Sequence, residues 1–286
     1  MMKYELFKEI VAERIMDFMP PIFSGFSPEI ESVQKVNVKK DALILKPAEC
    51  KESMALPIVY LDDMYEIFSI DEDLDELLSF VAGIFISYTG SISQEEMEVD
   101  FASKKDNVII SLINTEANEA LLEDIPHIDI LNMSLIFRVI MRWVGDGFDA
   151  VILNNSIMED MGLTKQELYD IALENTRRIF PPTIERLEDD IYVVSNEGNM
   201  FGAATMVYED FMKDVGRTVG DENFYVLPSS IHQFFAVSEK KADLEQLIMM
   251  LAEGNTNITR ESDRLSNAVY SYSTSRGALR KAASYR

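Results

Sequence analysis

Two hydroxyls and an imidazole fall close together at Ser229, Ser230 and His232, within the run Tyr225-Val226-Leu227-Pro228-Ser229-Ser230-Ile231-His232. Serine beside histidine is the raw material of nucleophilic catalysis, in which the ring takes the hydroxyl proton as the oxygen attacks a carbonyl. That chemistry also needs an acid to orient the ring and N–H donors for the oxyanion, and sequence spacing supplies neither. Neither serine stands in the Gly-x-Ser-x-Gly setting of a nucleophile elbow. The segment therefore reads first as a turn between strands whose hydroxyls bond the backbone, with a serine/histidine-dependent hydrolase as the catalytic alternative. His127, the other histidine, follows Pro126 in a turn and reads as structural or exposed.

Other reactive constellations are thin. Asp71, Asp73, Asp75 and Glu76 crowd together, but without the glycine and terminal glutamate of a calcium-binding loop they read as the acidic first turn of a helix. A single cysteine, Cys50, can form neither an intrachain disulfide nor a cysteine zinc site, which fits a reducing compartment. There is no phosphate-binding lysine loop, and Gly198 and Gly202 do not compose a dinucleotide fingerprint. The expectation is no cofactor and no metal.

Charge carries more information. The formal net charge is −24, and residues 51–250 hold 39 acids against 13 bases, whereas 251–286 hold 3 against 6. Such a body repels phosphate backbones, so direct nucleic-acid binding through a basic face is disfavoured. It suits a soluble protein that meets a basic protein partner, or an inhibitor that imitates nucleic acid to occupy a basic nucleic-acid-binding protein. Arg276, Arg280, Lys281 and Arg286 are the interaction candidates of opposite sign, suited to the acidic body or to an acidic partner.

These residues need elements to hold them. Phe7, Ile10, Val11, Ile15 and Phe18 make one face of a first helix that ends at Pro20-Pro21. Strands are expected at Ser32 to Val38 and Ala42 to Leu45, joined by Lys39-Lys40-Asp41, and at Ala55 to Leu61, forming an antiparallel meander. Ser69 with Glu72 has capping-box spacing ahead of a helix through Leu74, Leu78 and Phe85. Asn107 to Ile113 reads as a strand, and Leu135 to Val144 with Phe148 to Leu153 as a hairpin about Gly145-Asp146-Gly147. Strict alternation puts Arg138 and Arg142 on one solvated face, opposite Phe137, Val139, Met141 and Trp143.

The texture changes near Asn154-Asn155, where capped helices begin. Ser156 with Glu159 and Thr164 with Glu167 both have capping-box spacing. Strands follow at Ile191 to Val194, Asn223 to Leu227 and Gln233 to Val237, with helices over Ala203 to Val219 and from Leu244 to about Gly254. The expected architecture is α+β, two closely packed lobes of mostly antiparallel sheet with flanking helices. The boundaries are an N-terminal lobe over 1–155, a C-terminal lobe over 156–264, and a flexible basic tail over 265–286. No apolar stretch is long enough to span a bilayer, and no export signal opens the chain, so a cytoplasmic protein is expected.

Several runs carry a resemblance: ELYDIALENTRRIFPP from Glu167, YVVSNEGNMFGAATMVY, FYVLPSSIHQFF and, earlier, PIVYLDDMYEIF. Over roughly residues 3–272 the chain resembles an uncharacterised family of gut-associated Gram-positive bacteria, most specifically at Asn175, Phe180-Pro181-Pro182, Asn196 to Ala204 and Leu227 to His232. The resemblance implies a family without a stated activity. Gln233 stands where members usually carry a glutamate, so a serine, histidine and carboxylate set would lack its nearest carboxylate here. The reading that follows is a non-enzymatic cytoplasmic interaction or accessory protein.

Overall fold

Phe7, Val11 and Ile15 recur at helical spacing, and the chain coils as that spacing predicts. Helix α1 (Tyr4–Arg14) runs into a 3-10 turn, Ile15–Phe18, that stops ahead of Pro20 and Pro21, and all three apolar side chains are fully enclosed. The computed structural model describes residues 2–49, 56–89, 99–145, 147–187 and 190–285; Cys50, Ala55, Asp146 and Arg286 lie outside them.

The chain forms two units, the first Met1–Lys35 with Lys39–Asp100, the second Val36–Val38 with Phe101–Arg286. In the first, β1 (Phe26–Gln34), β2 (Lys39–Pro47) and β3 (Ile58–Tyr60) make the antiparallel meander, followed by α2 (Leu61–Asp71) and α3 (Leu74–Thr89). Its core sets Phe7 and Val11 of α1 against Leu43 and Leu45 of β2 and Leu78, Val81 and Phe85 of α3. Lys39, Lys40 and Asp41 are strand residues rather than the turn, which lies a few residues earlier with Asn37 at φ 63. The capping box at Ser69 does not form either. Ser69 lies inside α2 and donates to the Tyr65 carbonyl, and the Asp73 carboxylate instead accepts the Glu76 N–H at 3.0 Å ahead of α3.

The second unit holds two antiparallel sheets. The smaller contains β4 (Val108–Asn114), β5 (His127–Ile130), β6 (Met133–Val144) and β7 (Gly147–Ile152), with the short helix α4 (Glu119–Leu122) between β4 and β5. Strand β6 is central, pairing β4 on one edge and β5 then β7 on the other. Helices α5 (Asn155–Asp160) and α6 (Lys165–Ile179) follow. The larger sheet takes β8 (Pro182–Arg186), β9 (Ile191–Asn196), β10 (Asn223–Ser230), β11 (Gln233–Ser238), β12 (Ala268–Ser273) and β13 (Ala278–Ser284) in the order β13-β12-β10-β11-β9-β8. Between its strands run α7 (Glu209–Val219) and α8 (Leu244–Asn257).

One core joins these sheets. Val108, Leu135 and Phe137 from the smaller, Val194, Phe224, Phe234 and Tyr270 from the larger, and Leu168, Ala172, Met212 and Val215 from α6 and α7 belong to a single buried cluster. This explains why the division falls at 100 rather than near 155. The free edge of β4 is sealed by α6: the Ile110 N–H donates to Thr176 Oγ1 at 2.9 Å, and Asn175 Nδ2 donates to the Lys105 and Val108 carbonyls. Change of texture at Asn154 marks a change of element, not of folding unit.

Several local expectations shift for identifiable reasons. Thr164 and Glu167 form the full reciprocal box at the start of α6, but α5 is capped by Asn154, which accepts the Ile157 N–H at 2.8 Å, leaving Ser156 and Glu159 inside the helix. The helix expected over Ala203 to Val219 is broken: Gly202–Val207 is a 3-10 turn, and Tyr208 is extended at ψ 99 before α7 starts.

The expected flexible tail is instead two paired strands. Ordering a residue costs about 1–2 kcal/mol of backbone entropy. Here β12 bonds on both sides, to β10 and β13, and buries Ala268, Val269, Tyr270 and Tyr272. A fully enclosed large side chain contributes about 1.5–3 kcal/mol, which offsets that cost. Among the described residues no helix is long and apolar enough to cross a membrane.

Candidate functional site

Register decides what surrounds the hydroxyl and imidazole segment. Strand β6 alternates until a bulge between Ile140 and Arg142, where two residues face one on β7. Beyond it the faces exchange. Arg142 swings to the side opposite Arg138 and bonds Asp149 at 2.6 Å, while Trp143 joins the face of Arg138 and packs on Phe148 and Phe180 at 5.4 and 6.1 Å. Arg138 and Arg142 therefore do not share a face. Nor is the Arg138 face solvated, for Ile109, Ile136 and Ile140 are buried on it.

Arg138 sits in the row Ile109–Arg138–Ile152 across β4, β6 and β7. Its Nε donates to Ser111 Oγ at 2.9 Å, and its guanidinium lies 4.5 Å from the centre of the Phe201 ring. Part of its surface meets solvent, yet burial by its surroundings lowers its pKa to about 10, and it remains cationic at neutral pH.

Phe201 is held there by backbone geometry. Asn196, at the end of β9, grips the loop from both sides, donating to the Met200 carbonyl and accepting the Met200 N–H. Phe201 takes φ 57, and Gly202 follows in a space that admits no side chain: an added Cβ would stand 2.3 Å from Ser195 Oγ and 2.5 Å from the His232 carbonyl oxygen. Asn196 to Ala204 and Leu227 to His232, two segments that carried the resemblance, thus meet.

His232 lies in the β10–β11 connection, its ring stacked on Phe201 at 5.7 Å. Its Nδ1 accepts the Phe201 N–H at 3.2 Å, which places the proton of the neutral ring on Nε2, 3.8 Å from Asp263 Oδ1. Desolvation lowers the ring's pKa, the Asp263 carboxylate opposes it, and the Arg138 charge adds to the lowering. Asp263 comes from the 3-10 turn Glu261–Asp263, about thirty residues further along the chain.

The serines point to backbone chemistry. Ser230 Oγ accepts the His232 N–H at 3.1 Å, and Ser195 Oγ donates to the His232 carbonyl at 2.8 Å. Ser229 is buried, and its carbonyl accepts the Leu265 N–H. Since Nδ1 of His232 is engaged by a backbone N–H and Nε2 faces Asp263, neither nitrogen is paired with a hydroxyl. His127 uses Nδ1 on the Ile125 carbonyl at 3.0 Å, with Nε2 3.8 Å from Asp129.

The cationic candidates lie elsewhere in this unit. Arg276 is in the turn between β12 and β13, Arg280 and Lys281 are on β13, the edge strand, and all three are exposed. Arg276 and Arg280 help line a concavity of about 310 Å³ with Ser271, Ser273, Ser275 and Asn223. Sequence reasoning missed Phe201, Ser111 and Asp263; only the Asn196 to Ala204 run, with its glycine after an aromatic residue, signalled one of them.

An acidic α+β protein built on antiparallel sheets, with an arginine and a histidine brought together on one aromatic ring, is the class this architecture defines. The chain belongs to DUF5688, a family of unknown function that matches residues 4–191 and 185–274. No curated protein and no solved structure matches it.

Proposed function

We propose that this chain is a non-enzymatic interaction protein that engages an acidic segment of a protein partner along β13. The observation that supports the reading is the cationic edge itself. In a chain of net charge −24, one of the two edge strands of the larger sheet carries Arg280 and Lys281 beside Arg276, and among the described residues none of the three is ion-paired. An edge strand offers unpaired backbone groups to an added strand, and a serine-lined concavity lies beside it. The acidic remainder repels acidic partners everywhere else and so confines the encounter to this edge.

The test is pull-down from the native host with the intact chain and with Arg276→Glu, Arg280→Glu and Lys281→Glu combined. A partner held by the intact chain, released by the triple substitution and weakened steeply by added salt supports the reading. Equal retention by both chains, or affinity indifferent to salt, defeats it.

A further inference from the structure

Arg138 is a half-buried cation with no carboxylate partner among the described residues, in a chain of net charge −24. Removing a charge from water is costly unless an opposite charge replaces the lost solvation. Four exposed arginines of this unit, which keep most of their solvation, do have a carboxylate beside them: Arg142 on Asp149, Arg177 on Asp210, Arg186 on Asp190 and Arg217 on Asp214. Asp263, on the neighbouring His232, is not bonded to Arg138.

The way Arg138 is held matters as much as what it lacks. Nε is fixed by fully buried Ser111, and the guanidinium carbon lies over the Phe201 ring. The Ser111 bond uses one of the guanidinium's five N–H donors, and among the described residues both terminal amino groups are unbonded. A guanidinium so oriented presents the fork that matches two oxygens of a carboxylate or phosphate. Both Arg138 and Phe201 retain solvent-accessible surface, so the fork is within reach of a small ligand.

We propose that Arg138 is the receptor for an oxyanion, a carboxylate or a phosphate, gripped through its two terminal amino groups with the Phe201 ring as the wall behind it. This site is separate from the β13 edge and stands whether or not that edge binds a partner. The surrounding negative field suppresses diffuse anion binding, so a specific anion effect reports on this position.

The experiment is thermal unfolding of the full chain titrated with sodium phosphate, and separately with sodium benzoate, against sodium chloride at equal ionic strength. A ligand that binds only the folded state raises the melting temperature in proportion to the logarithm of its concentration above Kd. The expected result is a rise above the chloride control with at least one oxyanion, abolished by Arg138→Met and unchanged by Arg142→Met. Phosphate alone active identifies a phosphate ligand; benzoate alone identifies a carboxylate. Arg138→Lys, which keeps the charge and loses the fork, should weaken apparent affinity at least tenfold. The inference fails if neither anion exceeds chloride or if Arg138→Met responds like the intact chain. Should Arg138→Met not fold, an undiminished response in Arg138→Lys overturns it.

Discussion

Lys240 Nζ lies 2.9 Å from Asp221 Oδ1, whose side chain is 1% exposed, in the turn that closes α7. The carboxylate also accepts from Ser238 Oγ at 2.8 Å and from the Asn223 and Lys240 backbone N–H groups. Burial by itself pushes the Asp221 pKa up; these donors outweigh it and hold it at about 2, below the ordinary 3.8. The folded state binds its proton more weakly than the unfolded chain, so the stabilisation is present above pH 3.8 and lost as pH falls through about 2. Asp221→Ala should cost roughly 1–3 kcal/mol at neutral pH by leaving donors unpaired, and should flatten the acid limb of the stability curve. Urea unfolding at pH 7 and pH 3 checks this; a variant with the same acid limb as the intact chain would refute it.

His232 predicts an effect at higher pH. Its folded pKa is lowered from 6.5, chiefly by desolvation, with Asp263 opposing and Arg138 assisting. The unfolded chain therefore binds the proton more readily, and this contribution to stability, present above about 6.5, is lost as pH falls through the folded value. Melting temperature should drop between pH 7.5 and pH 5.5 more in the intact chain than in His232→Gln, whose amide oxygen can still accept from Phe201. Equal drops would exclude the ring as the cause.

Gly202 is sterically fixed. A methyl group there meets Ser195 Oγ and the His232 carbonyl at 2.3 and 2.5 Å, and the second contact is with backbone that cannot rotate away. Gly202→Ala should cost about 1–3 kcal/mol and displace Phe201 from Arg138. The control is Gly254→Ala, where an added Cβ meets nothing within 4 Å. Denaturant midpoints that fall equally for both substitutions would count against the argument.

The last residues matter for folding. A chain ending at Ser275 loses β13 and should unfold a few degrees lower, at about 2–4 °C per kcal/mol lost. A chain ending at Arg264 also loses β12 with enclosed Tyr270, and its second unit should not fold cooperatively. Circular dichroism melts of the three lengths decide; identical melting for all three would mean that β12 contributes nothing.

Sequence alone determined what depends on neighbours along the chain. The amphipathic spacing of Phe7, Val11 and Ile15, the Thr164 and Glu167 box, and the strands at β4, β10 and β11 were all legible because helix caps and strand alternation are local signals. The α+β class followed from them, as did the charge imbalance. Tertiary structure decided whatever depends on pairing. A one-residue bulge in β6 sent Arg142 and Trp143 to opposite faces from those alternation assigns, because side-chain direction counts residues from the register and not from the sequence. Val269, Tyr270 and Tyr272 looked too sparse to order a tail, since their burial depends on β10, more than forty residues earlier in the chain. The meeting of Arg138, Phe201, His232 and Asp263 belongs to the same class: four residues with no common local pattern, set together by long-range packing.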